Sequence, residues 1–488
     1  LSTPRILPNP KAIAGLQAAL VCALLMAGCQ PAPSPTRLPG TASPTAEGRL
    51  TGTVSPTRRV PLAPTRTPLA TSDLGIDPDK LDGLQVQFWH AWSEDADGAV
   101  ADLVSDFNSS NPWGIVVQAA SLSSYDALEE QVAAVLEEGG APDLISAFTY
   151  QASSWQDVLV DLNEYIDDPE YGLDSEERAD FFPVFWEQEG ADGSRTSLPA
   201  LRSGQALYYN ESWAGELGFD APPATPEEFE AQVCAAAQAN LQDDDPDNDQ
   251  TGGWIISSDY PAVLGWLHAY GSPVTRENGR GYQLDTDAVT GAFTFLRQLY
   301  EKGCAWLPEN QLAEQEFAER RGLLAAGSLT GIPYQQSAMR RAGSWDQWTV
   351  IPFPSPTKSP TISVYGPSYM VLKSSPEVEL AAWLFARWMS SPINQADLVA
   401  ATSSFPLRAS TLDYLISYRP SISPQWKAAT DLIPAARAEP DDPSWRDVRW
   451  ALSDAVTQLF RWYFTMEQLP ATVQLLDSTA AELYRLSR

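Results

Sequence analysis

From Leu84 onward, the spacing of apolar residues switches between two periods, and that order restricts the fold more than any other feature. Leu84-Gln85-Val86-Gln87-Phe88 alternates as a strand does, whereas Val100, Leu103, Val104 and Phe107 recur at helical spacing up to the stop signal at 108–112. Ile115-Val116-Val117 reads as a second strand. Tyr125, Leu128, Val132, Val135 and Leu136 form a second helical stripe that Gly139-Gly140 ends, and Asp143-Leu144-Ile145 opens a third strand after Pro142. The βαβαβ order predicts an α/β fold built on a mostly parallel, helix-covered sheet. Ligands of such sheets bind beyond the carboxyl ends of the strands, which points to Trp89-His90-Ala91-Trp92 and to Ala147–Tyr150.

The segment before this body reads differently. Arg5 and Lys11 precede a largely apolar run from Ala12 to Met26, and small Ala27 and Gly28 lead to Cys29, the layout of an export signal with a cleavage site. The run is too short for a membrane-spanning helix, which needs about 20 residues. The approach to Cys29 resembles a bacterial lipobox, so residues 1–29 are expected to be a lipoprotein signal peptide and Cys29 the lipidated residue. The following stretch is rich in Pro, Ser and Thr and poor in large apolar side chains. It cannot bury enough surface to offset the entropy of ordering, and a tether over 30–79 is expected.

The chain carries 31 Lys and Arg against 63 Asp and Glu. The first 72 residues are basic on balance, so the globular part is more acidic than the whole, and such a field disfavours nucleic-acid binding. Removal of Cys22 with the signal and lipidation of Cys29 leave Cys234 and Cys304 in an oxidising compartment, where a disulfide between them is expected. Asp243-Asp244-Asp245-Pro246-Asp247-Asn248-Asp249 suggests calcium, but the Gly and Glu of an EF-hand loop are missing, so a solvated acidic loop is expected and an irregular calcium site stays open. Two histidines, His90 and His268, do not make a zinc-capturing cluster. G-x-S-x-G, H-E-x-x-H, P-loop and G-x-G-x-x-G motifs are absent, so an enzyme is not expected; an exported glycosidase is the alternative from that class. No cofactor or metal is expected.

Several ordered marks then point one way. They are Phe88-Trp89-His90, Asp106-Phe107-Asn108 with Asn111-Pro112, Pro142-Asp143-Leu144, Leu207-Tyr208-Tyr209-Asn210 followed by Leu217-Gly218 and Pro222-Pro223, Trp348-Thr349-Val350-Ile351-Pro352, and Gly366 before a strand and the helix after Pro376. From about Leu84 to the C-terminus the chain resembles the family 1 extracellular solute-binding proteins of ABC importers, which include maltose- and glycerol-3-phosphate-binding proteins. The resemblance implies a two-lobed periplasmic-binding-protein-like fold of type II, with the ligand clamped between lobes. Lobe one would comprise 80–200 and 352–403, and lobe two 204–350 and 404–488. The chain would cross the hinge near Leu198–Gln205, Ile351–Ser355 and Ser403–Arg408.

The resemblance also implies a monomer that delivers its ligand to the transmembrane subunits of an ABC permease. It would work outside the cytoplasm and touch the membrane only through its lipid anchor. The chain has 17 tryptophans, and an indole face suits the C–H face of a pyranose, which favours a mono- or oligosaccharide ligand. Position selects Trp89, Trp92, Tyr150, Trp254 and Trp266 as stacking candidates. Trp383, Trp388, Trp426, Trp450 and Trp462 lie in helical patterns and are assigned to packing. His90, Tyr365 and Gly366 are further expected contacts. Arg202 and Arg408 would hold hydroxyls or an anionic group, and with them a glycerol-phosphate-type ligand is the runner-up.

Overall fold

The computed structural model describes residues 71–488 apart from 93–94, 191–192, 278, 309–312 and 420–421. The expected signal peptide, Cys29 and the tether up to residue 70 lie outside the described residues. The expected tether also runs too far. Ser72 donates to Asp168 at 2.8 Å, Leu74 and Ile76 pack on the core, and Leu81 is fully buried, so the folded body begins before residue 79.

Two sheets form the body. The smaller holds β1 (Gln85–His90), β2 (Val116–Ser121), β3 (Leu144–Ala147), β4 (Leu198–Pro199) and β11 (Ser368–Val371) in the order β2-β1-β3-β11-β4. The larger holds β5 (Ser203–Asn210), β6 (Gly252–Ile255), β7 (Ala305–Trp306), β8 (Gly322–Ser328), β10 (Ile362–Tyr365) and β12 (Ala436–Ala438) in the order β12-β10-β5-β8-β6-β7, and β9 (Trp348–Ile351) also pairs with β5. Strands β1, β2 and β3 are parallel, as the βαβαβ pattern requires.

The helices follow their apolar stripes. In α1 (Asp95–Ser110), Val100, Leu103 and Phe107 are buried. In α2 (Tyr125–Glu138), Ser124 caps the N-terminus by accepting from Ala127 N, and Gly139 closes the C-terminus at φ 81°. In lobe two, α3 (Pro226–Gln242) and α4 (Tyr260–Ala269) cover the larger sheet. The disulfide Cys234–Cys304 ties α3 to the strand region of β7, at an S–S distance of 1.98 Å.

The chain passes between the sheets at places that only partly match the expected ones. The first passage runs from β4 through Ala200-Leu201-Arg202 into β5. The second falls at Gly366-Pro367 and not at Ile351–Ser355, because β10 still pairs with β5 and β11 is the first strand back in the smaller sheet. Gly366 sits at φ 156°, and a Cβ there would lie 2.3 Å from the Leu201 carbonyl oxygen, so the two passages lie against each other and only glycine fits.

Helices α5 (Pro376–Met389), α6 (Pro392–Thr402) and α7 (Ala409–Tyr418) belong with lobe one. The segment expected to cross at Ser403–Arg408 stays there too: Phe405 N donates to Arg202 O, and Phe182 N to Leu407 O. Helix α8 (Pro424–Thr430) packs on β9, so the third passage lies between α7 and α8. The expected boundaries at 352 and 403 therefore both move toward the C-terminus. The pairing that decides them comes from strands distant in sequence.

Candidate functional site

The two sheets turn corresponding edges toward each other at the passages. On the smaller sheet the edge holds the carboxyl ends of β1 and β3, with Ser368 opposite Ala147. On the larger it holds Ser203 opposite Tyr365, and Gln205 opposite Ser328. Beyond these edges lie the loop Ala91-Trp92, the residues Phe148–Tyr150 after β3, and α9 (Trp445–Leu459) of lobe two. A cavity of about 420 Å3 separates α2 from the start of α9, bordered by Asp126, Glu129, Arg446 and Arg449. A second, of about 200 Å3, lies between Gln188 and the stretch Ala438–Asp442.

Lobe two supplies a polar and aromatic group that centres on Glu439. Its backbone N–H donates to Val364 O at 3.1 Å, which continues the β10–β12 ladder, and Trp445 Nε1 donates to its Oε2 at 2.9 Å. Burial pushes its carboxyl up to about 7, against the pull of the Trp445 hydrogen bond and of Arg449 and Arg202. Tyr260 stands 6.0 Å from Trp445, 6.3 Å from Trp450 and 6.5 Å from Tyr365, centroid to centroid. The Tyr365 hydroxyl donates to Gln205 Oε1 at 3.4 Å.

Arg449 joins the lobes. Its guanidinium carbon lies 4.2 Å from the ring centroid of Tyr150 and 5.2 Å from those of Tyr260 and Trp450. Burial opposes the charge, but the phenols of Tyr150 and Tyr260 and the Glu439 carboxyl outweigh it, and the pKa rises. One helical turn earlier, Arg446 pairs with Glu129 of α2, which also accepts from Gln151 at 3.1 Å and Ser154 at 3.1 Å.

The expected site residues fall into three groups. Tyr150 and Tyr365 lie at the cleft. Trp92 and His90 lie at the end of β1 but are turned inward: Trp92 packs edge-on against Phe88 and Tyr369, and His90 is 1% exposed beneath it at 5.2 Å. Burial holds the His90 imidazole down to about 4, against the nearby Asp97 carboxylate, so the ring is neutral and its role is packing. Trp89 points to the other face of the sheet, half-buried against Leu128, Val132 and Trp155.

The third group is structural. Trp254 and Trp266 are fully buried and meet Phe229 edge-on, so both are core residues and not stacking surfaces. Arg202 is fully buried at the first passage. It pairs with Glu189 and donates to Pro367 O at 2.7 Å, Leu201 O at 2.8 Å and Ser368 Oγ at 3.0 Å, so it binds the passages to each other. Gly366 belongs to the same hinge. Arg408 stacks at 3.8 Å over Phe181 and donates to Glu177 O at 2.8 Å, deep in lobe one. Burial and hinge packing correct the expected contacts at Trp254, Trp266, Arg202, Gly366 and Arg408, and orientation corrects those at Trp89, His90 and Trp92.

Conversely, Trp450 and Trp462, assigned to packing, are 58% and 86% exposed. Tyr260, Glu439, Trp445 and Arg449 were missed. One signal was available: in α9 the buried stripe Trp445, Val448, Leu452, Val456 carries a charged Arg449, and a cation on an apolar face needs a partner. The acidic loop 243–249 is largely exposed and closed by its own bonds, Asn248 Nδ2 to Asp243 at 2.8 Å and Asp245 N to Asp243 at 2.8 Å. Among the described residues no group of His, Cys, Asp and Glu is arranged to hold a metal ion.

A two-lobed α/β body with two edges facing a common cleft defines a type II periplasmic-binding-protein-like receptor. Residues 102–435 match the family described as bacterial extracellular solute-binding protein, and the chain belongs to that family. Its members bind solutes outside the cytoplasm and are not enzymes, which sets aside the glycosidase alternative. No curated protein matches the sequence.

Among solved structures, the chain is similar to the sugar-binding protein MalE of Xanthomonas citri, with a TM-score of 0.68, 21% identity and coverage of 82% of this chain and 97% of that one. The cyclic alpha-maltosyl-1,6-maltose binding protein of Arthrobacter globiformis gives 0.68, 17%, 82% and 99%. UgpB of Mycobacterium tuberculosis, solved in complex with glycerophosphocholine, gives 0.64, 19%, 82% and 98%. At these identities the likeness establishes the fold.

Proposed function

We propose that the protein captures a carbohydrate between its lobes and delivers it, by hinge closure, to the transmembrane subunits of an ABC importer. The observation that carries this reading is the convergence of Tyr150, Tyr260, Tyr365 and Trp450 with Gln205, Glu439 and Arg449 at the mouth between the two sheet edges. Rings take the C–H faces of a sugar, while the Gln205 amide and the Glu439 carboxyl exchange hydrogen bonds with its hydroxyls. Two of the structural relatives are a sugar-binding protein and a cyclic alpha-maltosyl-1,6-maltose binding protein, in keeping with this choice.

Contacts from both lobes are required for closure, since a ligand shifts an equilibrium only by its differential affinity for the two states. Cys29 carries the lipid in this reading, the Pro-rich segment holds a monomeric body off the membrane, and C29A would release the protein into the medium. The main test is thermal unfolding of the soluble chain with maltose, maltotriose, a cyclic glucan and glycerophosphocholine. A carbohydrate at a hundred times its Kd adds about 2.7 kcal/mol of stability. A shift with the phosphodiester and with no sugar would sink the carbohydrate reading.

A further inference from the structure

We propose that Arg449 is an internal competitor for the stacking surface of the cleft, its guanidinium holding the place of the ligand's apolar face until the ligand displaces it. The proposal rests on the carbohydrate reading and adds to it the residue that sets affinity.

Tyr150 is 5% exposed. Phe148 stacks beside its ring at 5.3 Å, and the Arg449 guanidinium lies over it at 4.2 Å. Tyr150 belongs to lobe one, whereas Tyr260 and Trp450, the other two rings that face this guanidinium, belong to lobe two. A pyranose that stacks on Tyr150 meets the same face and must remove the cation from it. Each cation–π contact of this kind is equivalent to about a two- to thirtyfold factor in an equilibrium constant.

The displaced group has somewhere to go. Arg449 borders the cavity of about 420 Å3, whose wall also carries the carboxylates of Asp126, Glu130 and Asp447. A guanidinium on a flexible stem reaches that space by side-chain rotation, and the carboxylates receive its charge. Arg449 thus has two places, one excluding the ligand's apolar face and one admitting it.

The test compares the wild-type chain with R449Q and with R449M, which keeps much of the aliphatic stem, by calorimetric titration with maltotriose. Both variants should bind about tenfold more tightly, and the gain should vanish in a Y150A background, the signature of coupling through that ring. Unchanged or weaker binding in R449Q and R449M would overturn the proposal.

A second arm needs no sugar. Tetramethylammonium chloride, against sodium chloride at equal ionic strength, should raise the Tm of R449M by a few degrees, because the three rings have lost their cation, and should leave the wild type unmoved. An equal response of both overturns the proposal. Failure of the wild type to bind any sugar counts against the carbohydrate reading, and the ammonium arm still decides the role of Arg449.

Discussion

Glu439 and His90 are buried titratable residues whose effects on stability have opposite signs. The Glu439 carboxyl is raised from 4.5 to about 7, so between these values the native chain keeps a proton that the unfolded chain releases. The stability that depends on its neutral form is therefore complete below about pH 4.5 and is lost as pH rises through 7. E439Q, which stays neutral and still accepts from Trp445, should match the wild type at pH 4 and exceed it by about 3 kcal/mol at pH 8. Urea unfolding at both values checks this, and an equal difference at both would place Glu439 in water. His90 works the other way: lowered from 6.5 to about 4, it costs stability only as pH falls through that window. Sequence did not distinguish a core indole from a cleft indole, because Trp254 and Trp450 have the same side chain and differ only in what folds over them. Glu439 and Arg449 were illegible for a related reason: Tyr150, the lobe-one ring over which Arg449 lies, is some three hundred residues away in sequence.

At the level of elements, local periodicity made the first half of lobe one readable, since β1, β2 and β3 are separated by helices whose stripes stand in the sequence itself. The passages were less readable. Strand β10 is a four-residue segment after a Pro- and Ser-rich turn, and only its ladder with β5 shows that the chain has not yet left lobe two. The passages depend on one buried ion pair, Arg202 with Glu189. Removing one partner leaves a charge without compensation, so E189A should lose about 3–5 kcal/mol, measured by chemical denaturation. The Cys234–Cys304 bond closes a loop of sequence separation 70 within lobe two. Its loss in C234S/C304S should cost about 4 kcal/mol on the chain-entropy account, and the same fall in Tm should follow addition of reductant to the wild type.

For the whole molecule, closure has a contact of its own before any ligand enters. Arg446 with Glu129 links α9 of lobe two to α2 of lobe one. Because Arg446 is about half exposed, its pair should weaken with salt. R446A should shift the ligand-free chain toward an open form, seen as a larger radius of gyration in small-angle scattering. Its apparent sugar affinity should fall by the same factor as the closed fraction. An unchanged scattering profile would show that the pair follows closure and does not favour it.

The route of the chain between the sheets also bears on how the protein is born. A polypeptide that emerges from its N-terminus delivers β1 to β4 early, yet β11, which stands between β3 and β4, arrives only after β5 to β10. The smaller sheet must therefore wait with β3 and β4 unpaired along the sides that β11 will fill. Such open edges invite wrong partners. The first lobe to begin thus closes its sheet only after most of the second has emerged, and the interval in which its edges most need protection runs from the emergence of Pro199 to that of Val371.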